Sequence, residues 1–310
     1  MSAEWAIFDV VERMLARQGR TKHWADGAFT SVVLEGTLLV DDGLSKKVKL
    51  CDSDTINYGT ATGGATSTMT LGYLSIIRIA QMLGHLGTGI LDSVGIRMTK
   101  YGTPPDLKAE IRENDYNGAL IASATVLASS VSPNPTFATY TIPLNAEIDI
   151  NKEYCLVLYL DGDGGNANNY YMLYQNYGSD IGSPYYKGNM HVFNGSSWTP
   201  TAYDIDKFEI TLTTTVGYGY QVVTDTSLGQ FLNAYHTVVA NDGAITIDVE
   251  DSSGVDLSAD VADGADLTGI ASPEQHTTFQ LKANLSRAAV EDTSPELKWW
   301  GIAYIGDTTA

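Results

Sequence analysis

The stretch Gly89-Ile-Leu-Asp-Ser-Val-Gly-Ile-Arg-Met-Thr-Lys100, followed by Tyr101-Gly-Thr-Pro-Pro105 and Leu107-Lys-Ala-Glu-Ile-Arg112, decides the fold class. Ile90, Asp92, Val94, Ile96 and Met98 alternate with Leu91, Ser93, Gly95, Arg97 and Thr99. That is the period of a half-buried strand, because successive side chains point to opposite faces. Pro104 and Pro105 then end it, since proline lacks the N–H that a ladder needs and fixes φ. Beyond the break Leu107, Ala109 and Ile111 point one way, and Lys108, Glu110 and Arg112 point the other. Two strands about a proline turn, the second charged on one side, predict a sheet with one wet face.

Outward from this pair the same signature recurs. Strands are expected over 75–81, 90–100, 107–113, 121–127, 136–142 and 153–160, most of them separated by Gly, Pro or Asn and without helical periodicity. Many short strands without amphipathic crossover helices favour an antiparallel sandwich over a Rossmann or barrel enzyme. The run of Thr, Gly, Ala and Ser over 60–70 offers almost nothing to bury and reads as a linker. Before it, Trp5, Phe8, Val11 and Leu15 fall at spacings of three and four, predicting a helix over 4–17. Residues 29–40 and 47–50 read as strands about the Asp41-Asp42-Gly43 turn. From 216 onward Tyr218, Tyr220 and Val222 alternate with small or polar neighbours, and strands are expected over 244–249, 278–285 and 297–305. Residues 251–273 read as a surface excursion anchored by Val255, Leu257, Val261, Leu267 and Ile270. The expected architecture is all-β, with a helix and small sheet over 1–62 as an assembly anchor, an antiparallel β-sandwich over 63–215, and a smaller acidic β-sandwich over 216–310.

Composition limits the partners. Of 310 residues 18 are basic and 37 acidic, a formal charge of −19, while 44% are hydrophobic, so the chain builds real cores and is a poor direct ligand for nucleic acid. Between Phe208 and Leu281 there is no Lys or Arg and there are eleven acids, which makes that surface strongly negative. Cys51 and Cys155 are too few and too far apart for a disulfide framework or a cysteine zinc site. The start lacks a basic segment followed by an apolar run, and nowhere do eighteen apolar residues run together, so neither a signal peptide nor a membrane span is expected. The five histidines share no ligand spacing, there is no GxSxG elbow or P-loop, and nothing singles out two of the acids as a catalytic pair. A non-catalytic protein that requires no cofactor is expected.

Three groups of residues stand out as candidate sites. Asp161-Gly-Asp-Gly-Gly-Asn166 places Asp161, Asp163 and Asn166 in a glycine-rich loop, either as oxygen ligands for Ca2+ or as an ordinary hairpin connection; residue 172 is Met where a calcium loop has its closing acid. Eight tyrosines fall between Tyr154 and Tyr186, among them Tyr170, Tyr171, Tyr174, Tyr177, Tyr185 and Tyr186. Tyrosine offers a large amphipathic surface at low entropic cost, so the cluster suits a protein interface, a sugar platform, or plain packing along a sandwich edge. Trp198 either caps that surface or fills the open end of the sandwich. Trp299 and Trp300 are strand neighbours, so one enters the core and the other is exposed unless a partner covers it.

The residues 79–81, 89–104, 107–112 and 121–125, with the later Tyr154-Cys-Leu-Val-Leu-Tyr159, resemble a non-catalytic jelly-roll module found in secreted surface proteins and in virus tail, baseplate and fibre proteins. Phe279-Gln-Leu-Lys-Ala-Asn-Leu-Ser-Arg287, Thr293-Ser-Pro-Glu-Leu297 and the Trp299 strand resemble sandwich domains of virus tail and baseplate proteins. The first sixty residues share neither likeness. The resemblance implies a jelly-roll middle, a particle-associated structural or attachment protein assembled in a host cytoplasm, contacts with other virion tail proteins, a homo-oligomer (trimer or hexamer), and a host glycan as a further partner. The alternative is a carbohydrate-binding or cell-adhesion module of an extracellular surface protein.

Overall fold

The computed structural model describes residues 21–26, 33–41, 46–58, 67–73, 75–163, 165–177, 190–205, 208–224, 228–270 and 278–306. The helix expected over 4–17 lies outside them. Their regular structure is strand apart from two single 3-10 turns, and the described ladders are antiparallel. The first strands are β1 (Thr21–Asp26), β2 (Val33–Glu35), β3 (Thr37–Asp41) and β4 (Lys46–Leu50). Then come β5 (Asp52–Tyr58), β6 (Ser67–Leu71), β7 (Arg78–His85), β8 (Thr88–Tyr101), β9 (Leu107–Glu113), β10 (Leu120–Val126), β11 (Ala138–Ile148) and β12 (Glu153–Leu160). β13 (Tyr170–Tyr177), β14 (His191–Phe193), β15 (Trp198–Pro200), β16 (Tyr203–Ile205) and β17 (Phe208–Thr224) follow. The chain closes with β18 (Leu228–Val239), β19 (Gly243–Asp251), β20 (Asp256–Ser258), β21 (Thr278–Arg287) and β22 (Glu296–Gly306).

Two compact units result, one from Cys51–Gly217 and the other from the described residues up to Leu50 and from Tyr218 on. In the Cys51–Gly217 unit one sheet runs β10-β9-β12-β7-β14-β15. The other is built on β8, which pairs with β11 along one side and with β17 and β13 along the other; β5 flanks β17, and β6 and β16 flank β13. Alternation decides which side each strand buries. On β12 Tyr154, Leu156, Leu158 and Leu160 face the core, as do Leu107, Ala109 and Ile111 on β9 and Ile142, Leu144, Ala146 and Ile148 on β11. On β17 Phe208, Ile210 and Leu212 do the same. The result is a β-sandwich-like body.

The stretch expected as a linker over 60–70 is corrected in part. Ser67–Leu71 is β6, paired with β13 through Met69 opposite Leu173 and Leu71 opposite Tyr171. Met69 and Leu71 supply the buried side chains, while Thr68 and Thr70 alternate with them on the open face.

In the other unit β22 is central, with β1 and β4 as neighbours in a sheet that ends on β3, and with β18 also paired to it. A second sheet runs from the C-terminal part of β17 through β21 and β19 to β20, and β2 joins β17 at Tyr218–Tyr220. Phe231, Val249, Phe279, Leu281, Leu285, Leu297, Trp300 and Ile302 form its core, with Phe231 and Phe279 edge to face at 5.0 Å. Strands from the first fifty residues thus share a core with the end of the chain. Val261 and Leu267 anchor the acidic excursion as expected, but Val255 does not: it is 60% exposed. At the Gly254 turn its backbone bonds back to Asp251, the N–H donating to Asp251 Oδ1 and the carbonyl accepting from Asp251 N, while the side chain stays in water.

Candidate functional site

One end of the Cys51–Gly217 unit carries a stack of tyrosines. The ladder between β8 and β13 sets Tyr170 opposite Tyr101, so both rings leave the sheet on the same side. They stack at 5.1 Å between centroids and 13° between planes, and Tyr73 adds a third ring 5.0 Å from Tyr170. Tyr101 is 45% exposed, and Tyr73 and Tyr170 are half-buried beneath it.

The loops under this stack are locked to each other by backbone contact. Gly102 has φ +66°, and a Cβ there would lie 1.9 Å from the Asn168 carbonyl. A Cβ on Gly165 would lie 1.9 Å from the Gly72 carbonyl. Only residues without a side chain allow such approach. Thr103 N donates to Asn169 Oδ1 at 2.8 Å, while Asn168 N and Asn169 Nδ2 donate to Asn166 Oδ1 at 2.9 and 3.2 Å. The rings and the amide-rich rim around them are therefore held in place before any ligand arrives.

A second aromatic surface covers the outer face of the six-stranded sheet. The ladders align Lys108, Tyr159, Arg78, Phe193 and Trp198 in one row across β9, β12, β7, β14 and β15, with Glu110, Val157, Ala80 and His191 in the next. The Arg78 guanidinium lies 4.9 Å from the Tyr159 ring centre. Tyr159 donates its hydroxyl to Glu110 Oε1 at 2.6 Å, and Arg112 Nε donates to Glu110 Oε2 at 2.8 Å. Burial, and then the bond to Glu110, push the Tyr159 phenol up to about 12, so it remains a donor at neutral pH. Tyr116 reaches over from the β9–β10 turn and stacks on Trp198 at 4.3 Å, above a floor of Ala80, Cys155 and Val157. These rings spend their faces on one another. This second surface is a small outer core, whereas the Tyr101 stack stays open.

The expected site residues separate accordingly. Tyr170 joins the open stack. Tyr171, its neighbour on the opposite face, is fully buried and donates to the Pro105 carbonyl at 2.9 Å; burial raises its phenol well above the ordinary range. Tyr174 packs against Phe137 at 4.4 Å with the Arg97 guanidinium 5.6 Å from its ring centre. Tyr177 ends β13 opposite Tyr203, and its side chain lies outside the described residues, as do Tyr185 and Tyr186. Trp198 meets Tyr116 and Phe193, away from the tyrosine stack. Trp300 is the core member of its pair, and the Trp299 side chain lies outside the described residues.

Of the calcium candidates, Asp161 is 62% exposed at its side chain with Lys108 Nζ 3.7 Å away, and the Asn166 oxygen already accepts from its own turn. The Asp163 side chain lies outside the described residues. Asp248, Glu250 and Asp256 bring carboxylate oxygens within 4.8 Å of one another in the other unit, a cluster not among the expected sites. The spacing of Asp248 and Glu250 on one strand face was its only signal. Lys282 and Gln280 donate to Glu250 at 2.9 and 2.5 Å, and Asn284 donates to Asp248 at 2.6 Å, so two of the three carboxylates are already engaged by neighbouring side chains. Neither Tyr73 nor Tyr101 was among the expected site residues, because each meets Tyr170 only through the fold.

No described helix is long and apolar enough to cross a membrane. No family model matches the chain, and no curated protein matches it.

Proposed function

We propose that this chain is a non-catalytic structural component of a phage-like virus tail, baseplate or fibre. It acts through protein–protein contacts and attaches to a host surface by the Tyr73–Tyr170–Tyr101 stack. The jelly-roll connectivity of the middle segment and the virion location belong to the same reading. Its support is the sequence resemblance together with a β-sandwich-like body in which the open aromatic surface sits on loops locked by glycine contacts. The observation that carries it is the 45% exposure of Tyr101 at the head of that stack. An aromatic ring stacked in place and open to water suits the flat apolar face of a sugar or a protein side chain. The exposed side-chain amide of Asn168 beside it favours the second reading, a carbohydrate-binding or adhesion module of a surface protein.

Retention on host cell envelope, a glycan array and co-sedimentation with particle extracts test both readings. Wild type is expected to be retained, and Tyr101→Ala to lose about tenfold or more in affinity, as removal of a central aromatic anchor does. Its thermal midpoint should shift by less than ~2 °C, since the lost ring is half open to solvent. Binding by Tyr101→Ala equal to wild type would remove the stack from the function.

A further inference from the structure

β10 is the last strand of the six-stranded sheet, and among the described residues its far edge pairs with no strand. Its core-facing residues Ala122, Ala124 and Val126 sit opposite Ile111, Ala109 and Leu107. The three on β9 are fully buried, whereas the three on β10 remain half-exposed. β11 of the facing sheet passes close beside β10 here, yet it makes no ladder with it and leaves these three side chains partly open to water. On the other face of β10 Ser123 and Thr125 are exposed, and Leu120 and the adjacent Leu127 are 51% and 57% exposed.

Edge strands are ordinarily guarded by charge, proline or a bulge. β11, the matching edge of the opposite sheet, has Pro143 and a register break between Pro143 and Ala146. β10 has no charge and no proline, and its one irregularity lies at its first residues, between Leu120 and Ala122. Charge points the same way. Residues 116–146 contain no Asp, Glu, Lys, Arg or His, in a chain whose formal charge is −19. Two copies approaching elsewhere bring acid against acid, but along this edge they do not.

We propose that β10 is the self-association edge of this protein, covered by β10 of a second copy lying antiparallel across a twofold axis. Antiparallel pairing of identical strands is self-complementary, because residue i meets j and j meets i. The contact satisfies the open main-chain groups and covers Ala122, Ala124 and Val126 on the core side and Leu120 on the other. It joins two six-stranded sheets into one continuous sheet. An isologous contact yields a dimer, or a hexamer made of three dimers, and never a plain trimer. The inference rests on residues distinct from the tyrosine stack, so each stands or falls alone.

Light scattering of the full chain across a dilution series is the test, with the 33.4 kDa chain as the unit mass. An even-numbered oligomer is expected. Ser123→Lys puts like charges face to face at the centre of the edge and is expected to weaken association by about tenfold or more. Ser123 is exposed and Glu110 lies across from it, so the fold tolerates the change, and an unchanged thermal midpoint at low concentration verifies that. As a second measurement, Ser123→Cys should cross-link two copies under mild oxidation while the native Cys51 and Cys155 stay buried and unreacted. A monomer at every concentration, a trimer, or a Ser123→Lys variant that associates like wild type overturns the proposal. So does a monomer whose β10 amides are protected from exchange, which would mean that the chain covers its own edge.

Discussion

Tyr170 and Tyr171 show what a single residue inherits from its place on a strand. They are adjacent and identical, yet one carries an open stack and the other lies in the core with its hydroxyl on the Pro105 carbonyl. Tyr171→Phe is expected to cost about 1 kcal/mol, the worth of one buried hydrogen bond, read from denaturant unfolding. The Cys155 thiol is pushed up to about 12, first by burial and then by Asp115. It should resist thiol reagents at pH 8 and label only when the protein unfolds. Asp204 is buried with Gln81 Nε2 3.2 Å from its carboxylate, and desolvation raises its pKa. An acid raised in the folded state holds its proton longer there than in the unfolded chain. Its contribution is therefore most favourable below the unfolded pKa and is lost as pH rises through the folded one. Asp204→Asn should match or exceed wild-type stability at pH 7, and melting curves of the two should diverge least in the acid range. Alternation states that Tyr170 and Tyr171 face opposite ways. Which of them faces the core depends on which side the second sheet covers.

Strands differ in how plainly they announce themselves. β9 and β12 coincide with the segments expected over 107–113 and 153–160, because clean alternation and turn residues bound both. β18 escaped notice. Its pairing with β22 shifts register at three places, and each shift breaks the period of two on which strand reading depends. β5 is polar and lies at an edge, with Thr55 and Ser53 bonded to Thr211 and Thr213, so it has little apolar pattern to detect. Connections obey the same physics. Gly102→Ala forces a side chain into a left-handed φ and against Asn168, and should cost about 2 kcal/mol or more. Its sharper readout is loss of envelope binding by the displaced Tyr101, measured beside the thermal midpoint.

For the whole molecule, charge sets the environment in which these surfaces meet anything. With a formal charge of −19 and an isoelectric point of about 4.4, copies repel one another at neutral pH. Turbidity is expected to rise sharply as pH falls towards 4.4, and moderate salt at pH 7 should raise the thermal midpoint by screening self-repulsion. The acidic network of Glu250, Asp248 and Lys282 should weaken over the same salt series less than exposed pairs do, because Glu250 is buried.

Local composition and period-two alternation were enough to determine that this chain is all-β and antiparallel in its described parts, since a strand's side-chain geometry is written residue by residue. Proximity across the chain is not. Strands from the first fifty residues enter one core with β22, Tyr116 covers Trp198, and Tyr73 and Tyr101 complete a stack begun by Tyr170. Those meetings depend on which strands pair and in what register, and pairing is a competition among whole faces that no single segment decides.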